Sequence, residues 1–167
     1  MVGKEQNKIM SESLENFTNI VKEDIKEAKT LFFSEAFKEE YLKDRREEKE
    51  LYHQLLLGRN RNQILEEFLL SSGQKKPVLL SAAKTIYQAT IMNLDEPLEI
   101  KVKREGWGYL VGRIKSDGTF LSLHKNTFQA EDFEDGTLTI YADMKTIPKD
   151  GDIDHLIIQT VYQTLQI

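Results

Sequence analysis

At 167 residues, 40% hydrophobic and 31% charged, the chain has the make-up of a soluble globular protein, long enough for one domain or two small ones. Its net charge of −5, from 28 acidic and 23 basic residues, provides no long-range pull toward nucleic acid or an anionic membrane. The absence of cysteine excludes disulfides, thiol catalysis and cysteine-based zinc sites.

From the start of the chain, Met1 to Lys8 lead into no apolar segment of a secretory signal. Apolar runs such as Leu55-Leu56-Leu57 and Phe68-Leu69-Leu70 are far too short to span a bilayer. A cytoplasmic location without membrane insertion is the expectation.

Met10, Leu14, Phe17, Val21, Ile25, Ala28 and Phe32 recur every three or four residues, which predicts a helix. Phe33, Phe37 and Tyr41 continue on a neighbouring stripe. Lys43 to Glu50 is charged at every position and leaves no apolar face, so it reads as a solvated helical turn or a hinge. The pattern resumes at Leu51, Tyr52, Leu55 and Leu56 and stops at Gly58, where glycine fits a helix C-cap because it adopts the left-handed conformation at little cost. Asn60 with Gln63 has the spacing of a capping box. It opens a helix with Ile64, Leu65, Phe68 and Leu69 on its buried face, ended by Gly73. Residues 1–73 are therefore expected to form a helical hairpin or small bundle, and Gln74 to Pro77 a short linker, since the residue before proline is pushed out of helical geometry.

Beyond Pro77 the period changes to two. Leu98, Ile100 and Val102 alternate with Glu99, Lys101 and Lys103, the pattern of a strand with one face in a core and one in water. Leu110, Gly112 and Ile114 alternate with Tyr109, Val111 and Arg113; Ser116-Asp117-Gly118 then predicts a turn into a strand from Phe120 to Leu123, as a hairpin. Leu138, Ile140 and Ala142 follow the turn Glu134-Asp135-Gly136. A last strand runs from Leu156 to Ile167, with a bulge to reconcile the glutamines and threonines that interrupt both its faces. With Val78 to Ser81 and Thr85 to Met92, about seven strands fill residues 77–167, the number expected of a sandwich. The fold class is α+β, a helical region followed by an all-β sandwich.

Gly108 to Leu123, then Leu138 to Asp143 and Ile157 to Thr160, resemble the immunoglobulin-like sandwich modules of bacterial multidomain proteins. The shared positions are glycines, turn residues and core residues. The resemblance implies a scaffold or recognition role and supplies no catalytic residue.

Asp150, Asp152 and Asp154 place carboxylates at alternate positions, the kind of oxygen ligand calcium prefers. An EF-hand loop needs glycine where His155 stands and a glutamate where Val161 stands, so a solvated turn is the reading. Glu131, Asp132, Glu134 and Asp135 read as a second acidic loop. His53, His124 and His155 lack metal-ligand spacing, and no nucleophile elbow, phosphate-binding glycine loop or HExxH helix appears. No catalytic residue, metal or cofactor is expected.

Two aromatic groups remain as binding candidates. Trp107 and Tyr109, next to Gly106 and Gly108, have rings that suit a sugar face or a protein partner, weighed against a role covering the end of the core. Phe17, Phe32, Phe33 and Phe37 need burial against the rest of the chain or against a partner. The function expected is a non-enzymatic protein-interaction or scaffold module of a larger bacterial protein, by self-association or with a protein partner and not with nucleic acid. The alternative is a carbohydrate-binding module. A hydrolase or transferase would need a concave site with convergent polar groups.

Overall fold

The computed structural model describes residues 14–88, 95–118, 120–146, 149 and 151–167. The chain divides into two compact units, Met1–Lys76 and Pro77–Ile167.

Five helices make the described part of the first unit: α1 at residues 14–23, then α2 (Ile25–Phe32), α3 (Ala36–Tyr41), α4 (Arg46–Leu55) and α5 (Arg61–Ser71). The apolar period that runs on to Phe32 does not make one helix. Asp24 adopts an extended conformation (φ −145°, ψ 92°) and its side chain accepts a hydrogen bond from the Glu27 amide, so α2 starts with its own N-cap. The charged run splits as well: residues 42–45 form a turn and α4 begins at Arg46, supported by ion pairs from Arg45 to Glu48 (3.0 Å) and Arg46 to Glu50 (3.5 Å).

The helices converge on a core of aromatic rings. Phe17 and Phe37 lie 4.8 Å apart between centroids, Phe32 and Phe37 4.9 Å, Phe32 and Tyr52 5.0 Å, and Phe32 and Phe68 5.3 Å. Such pairs each add about 0.5–1.5 kcal/mol beyond the area they bury. The Tyr52 hydroxyl donates to the Phe32 carbonyl at 2.5 Å. Burial, reinforced by Glu35, pushes the Tyr52 phenol above its ordinary value.

At the start of α5, Asn60 accepts from the Gln63 amide at 3.1 Å, the first half of the expected box. Gly73 has φ +78°, and the Gln74 amide reaches the Leu69 carbonyl while the Gly73 amide reaches that of Leu70, a Schellman ending. Gly58 serves a different purpose from the one its position implied. It has no positive φ, and a Cβ there would stand 3.1 Å from the Leu55 carbonyl and 3.3 Å from Ile64 Cγ1. After α5 the chain is tied back by an ion pair between the buried side chains of Lys75 and Glu66, 2.5 Å apart.

The described part of the second unit has eight strands: β1 (Leu79–Ala82), β2 (Leu98–Glu105), β3 (Val111–Ser116), β4 (Leu121–Leu123), β5 (Thr127–Gln129), β6 (Thr137–Met144), β7 (Leu156–Thr160) and β8 (Thr164–Gln166). They form two four-stranded sheets, in the orders β1-β2-β6-β4 and β5-β3-β7-β8. Every pairing is antiparallel. Leu80, Ile100, Val102, Leu138 and Ile140 from the first sheet join Ile114, Phe128, Leu156 and Ile158 from the second in one buried cluster, so the sheets face each other as a sandwich. Asp135 (φ +50°) and Gly136 (φ +76°) form the expected turn before β6.

Three strand expectations are corrected. β3 and β4 are not a hairpin, because β3 pairs with β5 and β7 while β4 pairs with β6 in the other sheet. Leu156 to Ile167 is two strands joined at Val161-Tyr162, with Gln159 opposite Thr164; a reversal of direction, not a bulge, explains why neither face stays apolar. Thr85 to Gln88 is irregular, and Ala89 to Met92 lie outside the described residues.

The Gln163 carboxamide closes one flank. It accepts from the Leu80 amide and donates to the Leu80 carbonyl, both at 2.7 Å. This pairs with β1, an edge strand, as a neighbouring backbone would.

Candidate functional site

The register of the second sheet determines which side chains leave the core. With Gly112, Ile114, Phe128, Leu156, Ile158 and Leu165 on the inner side, alternation sends Thr127, Gln129, Val111, Arg113, Lys115, Ile157, Gln159, Thr164 and Gln166 outward. Thr127, Arg113, Gln159 and Thr164 stand in one row across the strands. Gln129 and Val111 stand in the next. Val111 is 38% exposed, and Val161, at the turn after β7, 65%.

The outward strand positions of this sheet include no acidic residue and two cations, Arg113 and Lys115. The other sheet differs: β2 and β6 turn Glu99, Lys101, Lys103, Glu105 and Asp143 outward, a mixed and solvated set. An open groove of about 900 Å3 runs along β5 and β3, with Val111, Arg113, Gln129, Gln159 and Val161 among its walls. Lys125 and Asp132 also line it, 3.8 Å apart, with the Asp132 carboxylate further held by the Gln129 amide, whereas Arg113 has no ion-pair partner among the described residues. The groove offers carboxamides, hydroxyls, exposed valines and one uncommitted guanidinium, chemistry suited to contact.

Behind this face, Phe128 covers β3 from the core side. A Cβ on Gly112 would come 2.2 Å from Phe128 Cζ and 2.8 Å from the Gln159 carbonyl. Glycine lets the ring lie flat on the strand and hold β5 against it.

The aromatic candidates divide. Phe17, Phe32 and Phe37 are fully buried in the helical unit and present no surface to a partner; the chain itself covers them. Phe33 is half-buried, edge-on to Phe32 and under the Arg61 guanidinium at 4.8 Å. Trp107 and Tyr109 are half-buried, on a loop with Gly106 at φ +105° and Gly108 at φ +96°. The Arg104 guanidinium donates to both glycine carbonyls at 3.2 Å, which fixes the loop. Neither ring lines the groove.

The acidic residues are used locally. Asp152 accepts from the Lys149 amide and Asp132 from the Gln129 amide. Asp154 accepts from Ser116 Oγ (2.6 Å) and the Gly118 amide (2.8 Å). Asp117 takes the His155 amide at 2.8 Å and the His155 ring at 3.0 Å. The His155 amide, with its ring, holds the Asp117 carboxyl below the usual carboxylate range. Asp150 lies outside the described residues. Among those described, no three His, Asp or Glu side chains gather to hold a metal ion, and no helix is long and apolar enough to cross a membrane. The histidines have separate neighbours: His53 meets Tyr52, His124 meets Asp143 and His155 meets Asp117.

One family model, described as the N-terminal part of a family of unknown function, matches residues 2–167. The chain belongs to the DUF5717 family. No curated protein and no solved structure matches it. For this DUF5717 chain the groove is thus defined by register and chemistry alone. Its outward strand residues carry no aromatic ring or catalytic motif to mark them in the sequence. The available signal was compositional: Val111, Arg113, Lys115, Thr127, Gln129, Ile157 and Gln159 alternate with core positions and include no carboxylate.

Proposed function

We propose that the chain is a non-catalytic protein-interaction or scaffold module, working in the cytoplasm as part of a larger bacterial protein, whose contact surface is the outer face of β5-β3-β7-β8. The observation that carries this reading is the groove, where exposed Val111 and Val161 lie among carboxamides beside an uncommitted arginine. An apolar centre with adaptable polar groups around it is the make-up of a protein contact. A family description that names an N-terminal part supports membership in a larger protein. The immunoglobulin-like assignment draws support from the order β1-β2-β6-β4 opposite β3-β7-β8, which parallels the A-B-E-D and C-F-G sheets of that fold. β5 is an addition beside β3, and it follows β4 in the chain.

Affinity capture from a native lysate tests the reading, with light scattering on the purified chain to detect self-association. The wild type is expected to retain a protein partner or a second copy, and Val161→Asp, at an exposed turn, to lose it at an unchanged melting temperature. Equal retention by both proteins contradicts the assignment of this face.

A second reading, carbohydrate binding, is favoured by the Arg104-braced loop that holds Trp107 and Tyr109. It predicts that Trp107→Ala abolishes retention on a glycan array with little change in melting temperature. A large loss of stability instead assigns Trp107 to packing.

A further inference from the structure

We propose that the groove receives an extended, acidic peptide segment of a protein partner, with one of its carboxylates on Arg113. This rests on the reading of the β5-β3-β7-β8 face as the contact surface and specifies its occupant.

Charge complementarity carries the inference. The chain has a net charge of −5, yet the outward strand positions of this sheet bear Arg113 and Lys115 and no carboxylate. Arg113 is exposed in the middle of the row Thr127-Arg113-Gln159. Its fork of N–H donors matches a carboxylate in two-point geometry, and no side chain of the described residues forms an ion pair with it. The nearby Lys125 has Asp132 and His124 has Asp143, so among the described side chains that line the groove Arg113 is the cation in no ion pair.

Shape and polarity favour a peptide over another polyanion. The groove runs along β5 and β3, so an extended chain lies across the outer face and does not add as a strand to β5, whose Gln129 amide is already held by Asp132. Gln129, Asn126 and Gln159 offer carboxamides for peptide hydrogen bonds, and Val111 and Val161 offer apolar contact to every second side chain of a strand. Nucleic acid binding draws on many phosphate contacts, and the outward strand positions of this face supply two cations.

A random peptide display library selected on the full chain provides the test. Enriched peptides are expected to alternate Asp or Glu with apolar residues. The best of them, made synthetically, is expected to shift the amide resonances of Val111 to Lys115 and Thr127 to Gln129. Its affinity should fall about tenfold on Arg113→Gln, and Arg113→Glu should transfer preference to lysine-bearing peptides; an exposed side chain allows both variants to fold. The proposal is overturned if selected peptides bind this face, as judged by loss with Val161→Asp, yet are not acidic or are indifferent to Arg113→Gln; the contact-face reading then survives. Selection of no peptide that depends on the face overturns the proposal, and capture of a protein partner insensitive to Val161→Asp overturns the underlying reading separately. Tighter binding of an oligothymidine strand than of any selected peptide assigns the face to a polyanion and also overturns it.

Discussion

Phe128 fills the space that any side chain at Gly112 would need, which makes Gly112 the residue on which the groove's floor depends. Gly112→Ala forces its methyl into the ring and the Gln159 carbonyl, and overpacking of this kind costs about 1–3 kcal/mol. Urea unfolding followed by tryptophan fluorescence should show the lower midpoint. At Asp117, hydrogen bonds from His155 lower the folded-state pKa, so the carboxylate stabilises the fold above its unfolded pKa of about 3.9. That contribution is lost as pH falls through the lower, folded value. Melting temperatures read from pH 6 down to about 2 should drop more steeply for the wild type than for Asp117→Asn, converging at the acid end. In the helical core, Tyr52→Phe removes the donor to the Phe32 carbonyl and leaves a buried acceptor unmet, a loss of about 1–3 kcal/mol by chemical denaturation.

At the scale of elements, the parts legible in the sequence were those governed by local chemistry. Asn60 and Gly73 bound α5 as their residue types dictate, and Asp135-Gly136 turns the chain into β6. The 3.6-residue period did identify helix, but it carried no signal for the break at Asp24, because short helices laid against one core can keep a common apolar stripe across a kink. The β3–β4 connection departs from the expected hairpin for a related reason: turn residues specify that the chain bends, while the sheet it joins next is decided by long-range pairing. The Lys75–Glu66 pair was likewise invisible, since it depends on the chain folding back after α5. Lys75→Ala removes the cation facing the buried Glu66 carboxylate and should cost about 3–5 kcal/mol, whereas replacing both residues with methionine or leucine should be close to neutral. Calorimetry on the single and double variants checks this, and equal losses in both would contradict it.

On the scale of the whole molecule, two separately packed units join a helical core rich in phenylalanine to a β-sandwich. The sequence made the class of this architecture readable through its change of period near Pro77. It also directed attention to phenylalanines that prove to be core, because aromatic content in a list of residues does not distinguish a ring facing a partner from one facing its own chain. The groove was harder to see. Its residues are ordinary outward strand positions, and only the register that aligns Thr127, Arg113 and Gln159 makes them a surface. Hydrogen exchange with mass spectrometry on the full chain, free and with its captured partner, tests that surface most directly. Protection is predicted in peptides spanning residues 111–115, 125–129 and 157–161. Protection confined to the Trp107–Tyr109 loop or to the helical unit, with those segments unchanged, would contradict the account.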